Sequence, residues 1–312
     1  MSTQRFQFHR LAELLFSLAF LCAGCSHGKT STASSAPPQR LFVTVAESAS
    51  LLVYRNAAEG EQPMATIKEN PADRPIDCSV NFIGEAYVAN ENGNVRVYGA
   101  GRDQKYKLIR SYEGPHTRLE HPVAITVNPA GSFYIADTGN GHGRVEWFSG
   151  GANEDIFPDK VLEGPHTGIS EPRGVAIDGS GRTFVSDRGS NRILVFDPNA
   201  RDDAAPLVIL DGLHAPGRIA IDDLLNIYVV NAGDNTIAVL SSTGPESWAP
   251  GVTIASKLQG PGAIATNQAG QIAIGASDGI WFFATDVQRE GDPLFSIHGG
   301  SPSVQPSGVC FH

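Results

Sequence analysis

Six prolines recur along this 312-residue chain at intervals of 44 to 50 residues, and each precedes a short apolar run. They are Pro75, Pro122, Pro172, Pro216, Pro261 and Pro306. Self-similarity at such a period is the signature of repeat architectures, in which every unit folds in the same way. This repeat limits the possible folds more than any other feature of the sequence.

Each complete unit contains four candidate strands. In the unit that starts at Pro172 they read PRGVAID, TFVSD, RILVFD and PLVILDG. The fourth residue after the proline is small, and Asn or Asp opens the first turn, where its side chain can bond to nearby backbone. The chain's 34 Gly and 20 Pro suit short strands joined by turns. Four short antiparallel strands per repeat predict an all-β propeller, with blades arranged around a central channel.

The two ends of the repeat region complete one another. Residues 41–68 supply strands two to four of a unit, and PSGVCFH at 306–312 supplies only a first strand. We therefore expect the C-terminal strand to pair with the N-terminal strands and close a six-bladed ring. A five-bladed ring with frayed ends is the alternative, and it would expose apolar strand edges. The predicted blades are 41–68 plus 305–312, 75–115, 122–165, 172–213, 216–258 and 261–299.

The first 40 residues lie outside the repeat. Arg5 and Arg10 precede the apolar run Leu14–Ala23, which is too short to span a bilayer. A basic start followed by a short apolar run is typical of a signal peptide, here predicted at 1–24. The polar stretch that follows predicts a flexible tether at 25–40, leaving 41–312 for the propeller.

The apolar run ends in LCAGC, which resembles a bacterial lipobox. The pattern departs at Cys22, where such sequences usually have Leu. The resemblance implies that Cys25 is lipidated and that the protein is anchored in the bacterial cell envelope. Ser26 resembles the sorting signal for the outer membrane, with the protein facing the periplasm or the exterior. An ordinary cleaved signal and an uncleaved anchor are the alternatives.

The charge of the chain excludes one class of partner. The formal net charge is −10, and no run of Lys or Arg interrupts the acidic sequence. Nucleic acids are bound through basic patches. We therefore expect no nucleic-acid partner.

The stretch PRGVAIDGSGRTFVSDRGSNRILVFD closely resembles an NHL repeat, and HPVAITVNPAGSFYIADTGNGHGRVEWFS is similar. The resemblance is weaker at 75–115 and 261–299. It implies a six-bladed NHL-type propeller, here in the form of a bacterial lipoprotein. Propellers of this family serve as interaction platforms, ligand sensors and metal-dependent lyases or lactonases, so the resemblance selects no function by itself.

Histidines concentrate on one predicted face of the ring. In this topology the loops before each first strand and between second and third strands share that face. It carries His116, His121, His142, His166, His214 and His298, whereas His312 belongs to the other face. His116 and His166 both occur in the sequence EGPHT, which is equally consistent with a turn copied by repeat duplication.

Three further polar residues are expected on the same face. Arg74 precedes a first strand, and Asp137 and Asp187 end second strands. They are candidates for ligand binding. For the two aspartates the alternative is that they cap the following loop, as Asn90 and Asn231 would at the same repeat position.

A metal site is one hypothesis for the channel mouth. His121, Glu171 and His214 stand just before the first strands of successive units. Two imidazoles and one carboxylate suit Zn²⁺ with one open position, and Ca²⁺ is the other divalent ion considered. Metal-dependent NHL-type lyases also use histidines from several blades. The alternative is that the protein binds no cofactor.

The sequence contains no Ser/His/Asp order, no phosphate-binding glycine loop and no CxxC pair. The sequence therefore assigns no catalytic residues. We predict an exported, lipid-anchored, monomeric protein that binds a protein, peptide or glycan through its histidine-bearing face. The alternative is a metal-dependent lyase or lactonase whose site lies at the channel mouth.

Two cysteines remain outside the signal region. Cys78 is the third residue after Pro75, and Cys310 is the fourth after Pro306. Their strands belong to adjacent blades, and opposite parity is what two facing sheets require for a disulfide. Exported chains meet an oxidising compartment, where paired thiols persist. The same parity also allows the thiols to lie back to back, so two buried free thiols are the alternative.

Overall fold

The computed structural model describes residues 39–151, 154–254, 258–285, 292–298 and 305–312. Within these ranges the chain forms six four-stranded antiparallel sheets, which are the blades of a propeller. The all-β, six-bladed expectation is confirmed. The predicted signal peptide at 1–24, Cys25 and the tether up to residue 38 lie outside the described residues.

Strands are numbered in chain order, and each blade is given from its inner to its outer strand. Blade 1 contains β24 (Gly308–Phe311), β1 (Leu41–Val45), β2 (Ser50–Tyr54) and β3 (Ala65–Lys68). Blade 2 contains β4 (Pro75–Val80), β5 (Ala86–Asn90), β6 (Asn94–Ala100) and β7 (Tyr106–Tyr112). Blade 3 contains β8 (Pro122–Val127), β9 (Phe133–Asp137), β10 (Arg144–Phe148) and β11 (Lys160–Leu162).

Blade 4 contains β12 (Pro172–Ile177), β13 (Thr183–Asp187), β14 (Arg192–Phe196) and β15 (Val208–Leu210). Blade 5 contains β16 (Pro216–Ile221), β17 (Ile227–Asn231), β18 (Thr236–Gly244) and β19 (Ser247–Ile254). Blade 6 contains β20 (Ala263–Thr266), β21 (Gln271–Ala276), β22 (Gly279–Ala284) and β23 (Phe295–Ile297). A short 3₁₀ turn, Pro115–Thr117, precedes β8. Among the described residues, no helix has the length and apolar character needed to cross a membrane.

The blades pack face to face through apolar side chains on both of their surfaces. All residues of β5, β13 and β17 are buried, which explains why these second strands read as nearly continuous apolar runs. Outer strands such as β3 and β7 have exposed residues because they lie at the rim. Hydrophobic clusters connect every pair of neighbouring blades, including blade 6 with blade 1 and blade 1 with blade 2. The core is therefore a continuous ring.

The small residues of the repeat line the central channel. They are Ser79, Thr126, Ala176, Ala220, Ala265 and Cys310. Six inner strands converge there around a cavity of about 180 Å³. Larger side chains at these positions would overfill the space where the strands approach one another.

The first turn of each repeat is built as the sequence predicts. In blade 3 the Asn128 side-chain oxygen accepts a hydrogen bond from the Ser132 backbone N–H at 2.9 Å. Asn81, Asp178, Asp222 and Asn267 make the equivalent bond in their own blades. The turn requires a left-handed residue, which is Gly131 in blade 3 with φ 86°. Blade 5 uses Leu225 instead, at φ 65°, which is a strained conformation for a residue with a side chain.

The ring closes where the sequence predicts. β24 pairs antiparallel with β1, with Leu41 opposite Phe311 and Thr44 opposite Gly308. The Ser307 hydroxyl donates to the Pro75 carbonyl of blade 2 at 2.7 Å, so the C-terminal segment contacts both neighbours. The alternative of a five-bladed ring with frayed ends is wrong.

A disulfide joins the inner strands of blades 1 and 2. It links Cys78 of β4 to Cys310 of β24, whose Cα atoms lie 6.0 Å apart, within the usual range for a disulfide. Both residues are buried beside the channel. Of the two arrangements that the sequence allowed, the structure contains the bonded one.

The two faces of the ring are named by their loops. The mouth face carries the linkers that enter each inner strand and the loops between second and third strands. The base face carries the turns between first and second strands and between third and fourth strands. All residues predicted for ligand binding belong to the mouth face, and His312 lies on the base face next to Phe82.

Candidate functional site

The side chain of Arg218 spans the channel. It arises from β16 of blade 5 and reaches blade 2, which lies opposite in a ring of six. Its guanidinium donates to the Ile76 carbonyl at 2.8 Å and to the Arg173 carbonyl at 3.0 Å. Its Nε lies 3.3 Å from Asp77 Oδ2. Arg218 therefore separates the mouth of the channel from the space below it.

Asp77 is the buried partner of this arginine. Burial raises the pKa of its carboxyl group, while the positive charge of Arg218 and backbone donors oppose the shift. One of these donors is the Ile125 N–H of blade 3, at 3.0 Å from Oδ2. The pair ties four blades together at the centre of the ring.

Above Arg218, a pocket of about 370 Å³ opens on the mouth face. Four blades contribute to its walls, through Ile76, Glu91, His121, Thr138, Arg173 and Arg218 among others. This volume is at the lower end of the range for small-molecule sites. The pocket is therefore large enough for a molecule the size of one sugar ring.

The charged groups around this pocket are paired. Arg173 contacts Glu171, and Glu91 accepts from Arg74 at 2.8 Å. About a third of the Arg173 side chain is exposed. Both Glu91 and Arg173 line the pocket, so it offers hydrogen-bond donors and acceptors rather than a field of one sign.

His121 is held in this pocket through its backbone. Its N–H donates to Asp137 Oδ1 at 3.1 Å, and its carbonyl accepts from the Thr138 N–H at 3.1 Å. Its imidazole makes no hydrogen bond to another described residue. The ring is thus positioned by the linker and free to meet a ligand.

The acidic residues that end the second strands fix the linkers. Asp137 accepts from the backbone N–H groups of Glu120, His121 and Gly139. Asp187 does the same for Ser170 and Glu171, and Asn231 for His214. Asp137 and Asp187 are completely buried. They cap the loops, as one of the sequence hypotheses holds, and position the mouth face without being exposed on it.

The two EGPHT segments form the same structure twice, which we call the His–Asp caps. Asp155, from the β10–β11 connection, accepts from the His116 backbone N–H at 2.6 Å and contacts its ring at 2.6 Å. Asp203, from the β14–β15 connection, bonds to His166 in the same way. These bonds hold the pKa of both carboxyl groups below the usual value. His116 and His166 therefore have intramolecular partners at the rim.

The other predicted residues of this face are dispersed. His142 lines a separate pocket of about 350 Å³ between blades 3 and 4, together with Glu163 and Ser170. His298 packs against Trp281 and lies 3.1 Å from the Asp278 carbonyl. Of the histidines, only His121 lines the pocket at the channel mouth.

The structure does not assemble the proposed metal ligands. Glu171 pairs with Arg173, and His214 Nδ1 lies 2.9 Å from Asp234 Oδ2. Within the described ranges, no three His, Cys, Asp or Glu side chains come together in a way that could hold a metal ion. Among the described residues, His121, Glu171 and His214 therefore do not form such a group, and no chemical step is assigned to a metal.

The sequence interpretation missed Arg173, Arg218 and Asp77. All three are charged residues inside first strands that are otherwise apolar, as in PRGVAID, PGRIAID and PIDCSVN. A charge in a strand that lines a narrow channel has to be paired or to serve a ligand. That contrast was visible in the repeats and could have indicated the centre of the ring.

Known proteins resemble this chain in fold and not in sequence. No family model and no curated protein matches it. A periplasmic gluconolactonase from Pseudomonas aeruginosa has a similar structure, with TM-score 0.62 and 16% identity over 88% of this chain and 98% of that chain. A Bacteroides caccae protein of unknown function gives TM-score 0.66 and 13% identity over 88% and 98%. A chain of the nidogen/laminin complex gives 0.63 and 14% over 88% and 97%. At these identities the similarity establishes the propeller fold alone, and the NHL resemblance is not confirmed.

Proposed function

We propose that this protein binds a small, neutral, polyhydroxylated ligand, such as a monosaccharide or its lactone, in the pocket at the channel mouth. The observation that carries the proposal is the set of paired charges around a cavity of about 370 Å³. Sugar hydroxyls act as donors and acceptors together, so they can bond to Arg173 and Glu91 at once. The neighbouring fold of a periplasmic gluconolactonase supports this ligand class.

Calorimetric titration with monosaccharides, aldonic acids and their lactones tests the proposal. Arg173→Gln removes the guanidinium that faces the pocket, and we expect at least about a tenfold loss of affinity, or 1.4 kcal/mol. Arg188→Gln is the matched control, because Arg188 is exposed on the mouth face of the same blade and does not line the pocket. Equal affinities in the two variants would contradict the assignment of the site.

A second candidate function is hydrolysis of a lactone in the same pocket. The imidazole of His121 makes no hydrogen bond to other described residues, so it is available as a general base for water. Arg173 lines the same pocket and is the candidate to stabilise negative charge on a carbonyl oxygen. Water would add to the carbonyl carbon, and the ring oxygen would leave with a proton. Titration of the acid released from glucono-1,5-lactone measures this activity. His121→Gln should lower the rate about 100-fold or more while binding persists.

We further propose that the protein is exported and tethered to the bacterial cell envelope through a lipid on Cys25, acting there as a monomer. The support is the short apolar run that ends in AGC. Cys25→Ser should leave an unprocessed or soluble species, whereas Cys22→Ser should be processed normally. Unchanged detergent partitioning of the Cys25 variant would exclude lipidation at this position.

A further inference from the structure

The chain enters the propeller on the base face, at the boundary of blades 1 and 2. The Arg40 backbone N–H donates to the His312 carbonyl at 3.0 Å. The Arg40 side chain donates to Gln104 Oε1 at 2.6 Å and to the Tyr106 hydroxyl at 2.9 Å, both in blade 2. His312 in turn lies 3.2 Å from the Phe82 carbonyl. The entry point therefore touches both turns of blade 2 on this face.

One of these turns exposes two large apolar side chains. Phe82 is 78% exposed and Ile83 is 70% exposed, at the tip of the β4–β5 turn. The turn holds them outward, because the Asn81 side chain accepts from the Ile83 and Glu85 N–H groups and Gly84 is left-handed at φ 83°. Adjacent exposed apolar residues on a rigid turn indicate an interaction surface.

The other turn is basic. Arg102 and Lys105 are exposed in the β6–β7 turn, with Asp103 the single acid between them. Arg40 adds a third positive charge beside them through its bond to Gln104. The nearby Glu85 is already paired with Arg110. We call Arg40, Phe82, Ile83, Arg102 and Lys105 the blade 2 tip; it is positive although the whole chain has a net charge of −10.

We propose that the blade 2 tip docks on the surface of a bilayer that contains anionic phospholipids. Apolar residues that enter the headgroup region, flanked by Lys and Arg, are the usual composition of such a surface. The chain preceding Gln39 carries the apolar run Leu14–Ala23 and Cys25. Fourteen peptide units separate Cys25 from Gln39, so the chain between them can span no more than about 50 Å. That length keeps the entry point close to any membrane that holds this segment.

A second copy of the protein is a less suitable occupant. A two-fold contact through this tip would place Arg102 and Lys105 of one copy against those of the other, and like charges oppose such an interface. The opposite side of the base face shows the contrast. Leu224 is 76% exposed in the β16–β17 turn of blade 5, but it stands beside Asp222 and Asp223. An anionic surface would repel that turn.

Fluorescence quenching tests the proposal on the full-length protein. The Phe82→Trp variant is reconstituted in vesicles of phosphatidylethanolamine and phosphatidylglycerol that carry brominated acyl chains, and the wild-type signal is subtracted. We expect the emission of the new tryptophan to fall roughly twofold, because the side chain enters the headgroup–acyl boundary. Leu224→Trp is the matched control and should be quenched little.

The charge dependence separates docking from simple proximity to a tether. Replacing phosphatidylglycerol with phosphatidylcholine should reduce the quenching of Phe82→Trp, and so should Arg102→Gln together with Lys105→Gln. Arg201→Gln, an exposed arginine of blade 4, should leave it unchanged. Equal quenching at positions 82 and 224 would overturn the proposal. A dimer in sedimentation that Phe82→Ser abolishes would also overturn it and assign the tip to self-association. Neither result bears on ligand binding at the mouth face.

Discussion

The boundary between blades 1 and 2 is held by a disulfide beside the channel, whereas the boundaries between blades 2 and 3 and between blades 3 and 4 carry His–Asp caps at the rim. The chain separations differ accordingly. Cys78 and Cys310 are 232 residues apart, but His116 and Asp155 only 39. Bringing distant segments together costs more chain entropy. Segments far apart in the chain are thus joined by a covalent bond beside the channel, whereas segments closer in the chain are joined by polar contacts at the rim.

Deletion of residues 305–312 should reduce the stability of the protein more than any of the other changes, because it removes the closing strand. Val309, Cys310 and Phe311 together contribute about 5 kcal/mol through burial alone. That is comparable to the whole stability of many domains. We expect the cooperative thermal transition to be lost. Deletion of His312 alone keeps β24 and serves as the control. A truncated protein that melts as high and as sharply as the full one would disprove closure by this strand.

Loss of the disulfide should have the second largest effect on stability. Cys78→Ala with Cys310→Ala should lower the free energy of unfolding by about 3 kcal/mol, since the unfolded chain regains the freedom of a long loop. Urea denaturation with and without reductant measures the effect. Reductant should destabilise the wild-type protein and leave the double variant unchanged. Two alkylatable thiols at these positions in the protein purified without reductant would show that the bond does not form.

A buried carboxyl group lies next to the first cap. Glu146 of β10 is completely buried and paired with Arg144, which also donates to the Arg118 carbonyl just after EGPHT. Burial, and then the charge of Asp137, raise the pKa of Glu146 to about 8 from 4.5. Between these values the folded protein retains a proton that the unfolded chain has released. The free energy of unfolding should therefore fall as the pH rises through this window.

Glu146→Gln removes this dependence. The variant should match the wild-type protein below about pH 4.5 and exceed its stability by about 2 kcal/mol at pH 8. Urea denaturation at several pH values provides the measurement. Glu246→Gln, in the exposed β18–β19 turn, should leave the pH dependence unchanged. Parallel curves for the wild-type protein and Glu146→Gln would show that Glu146 is ionised in the folded state.

Loss of a His–Asp cap should have the smallest effect on stability. His116→Ala removes one ring contact and the packing on Phe157 while leaving the backbone bond to Asp155. Exposed ion pairs contribute little, so we expect the Tm to fall by about 2 °C or less. The ring of His142 has no such partner among the described residues, so His142→Ala should leave the Tm unchanged. A loss as large as that of the disulfide variant would remove the distinction between the two kinds of boundary.

The fold was predictable because the same local sequence patterns recur from blade to blade. The proline period, the small fourth residue after each proline and the Asx turn all recur. An ambiguous strand assignment in one unit can therefore be resolved from the other units. The candidate site was harder to predict from the sequence, because it depends on where side chains from different blades meet. His121 was placed at the channel mouth from its position before β8, but its expected partners Glu171 and His214 bond to their own neighbours. Arg218 contacts blade 2 across the channel, and the spacing of residues along the chain does not indicate this contact.

The pairing of β24 with β1 also sets an order of events. The edge of β1 exists as soon as residues 41–45 have been synthesised, but its partner strand arrives only with residues 308–311. Blade 1 therefore stays incomplete until β24 has been synthesised. Closing blade 1 therefore depends on pairing between the first and the last described strands, and such non-local pairing slows folding.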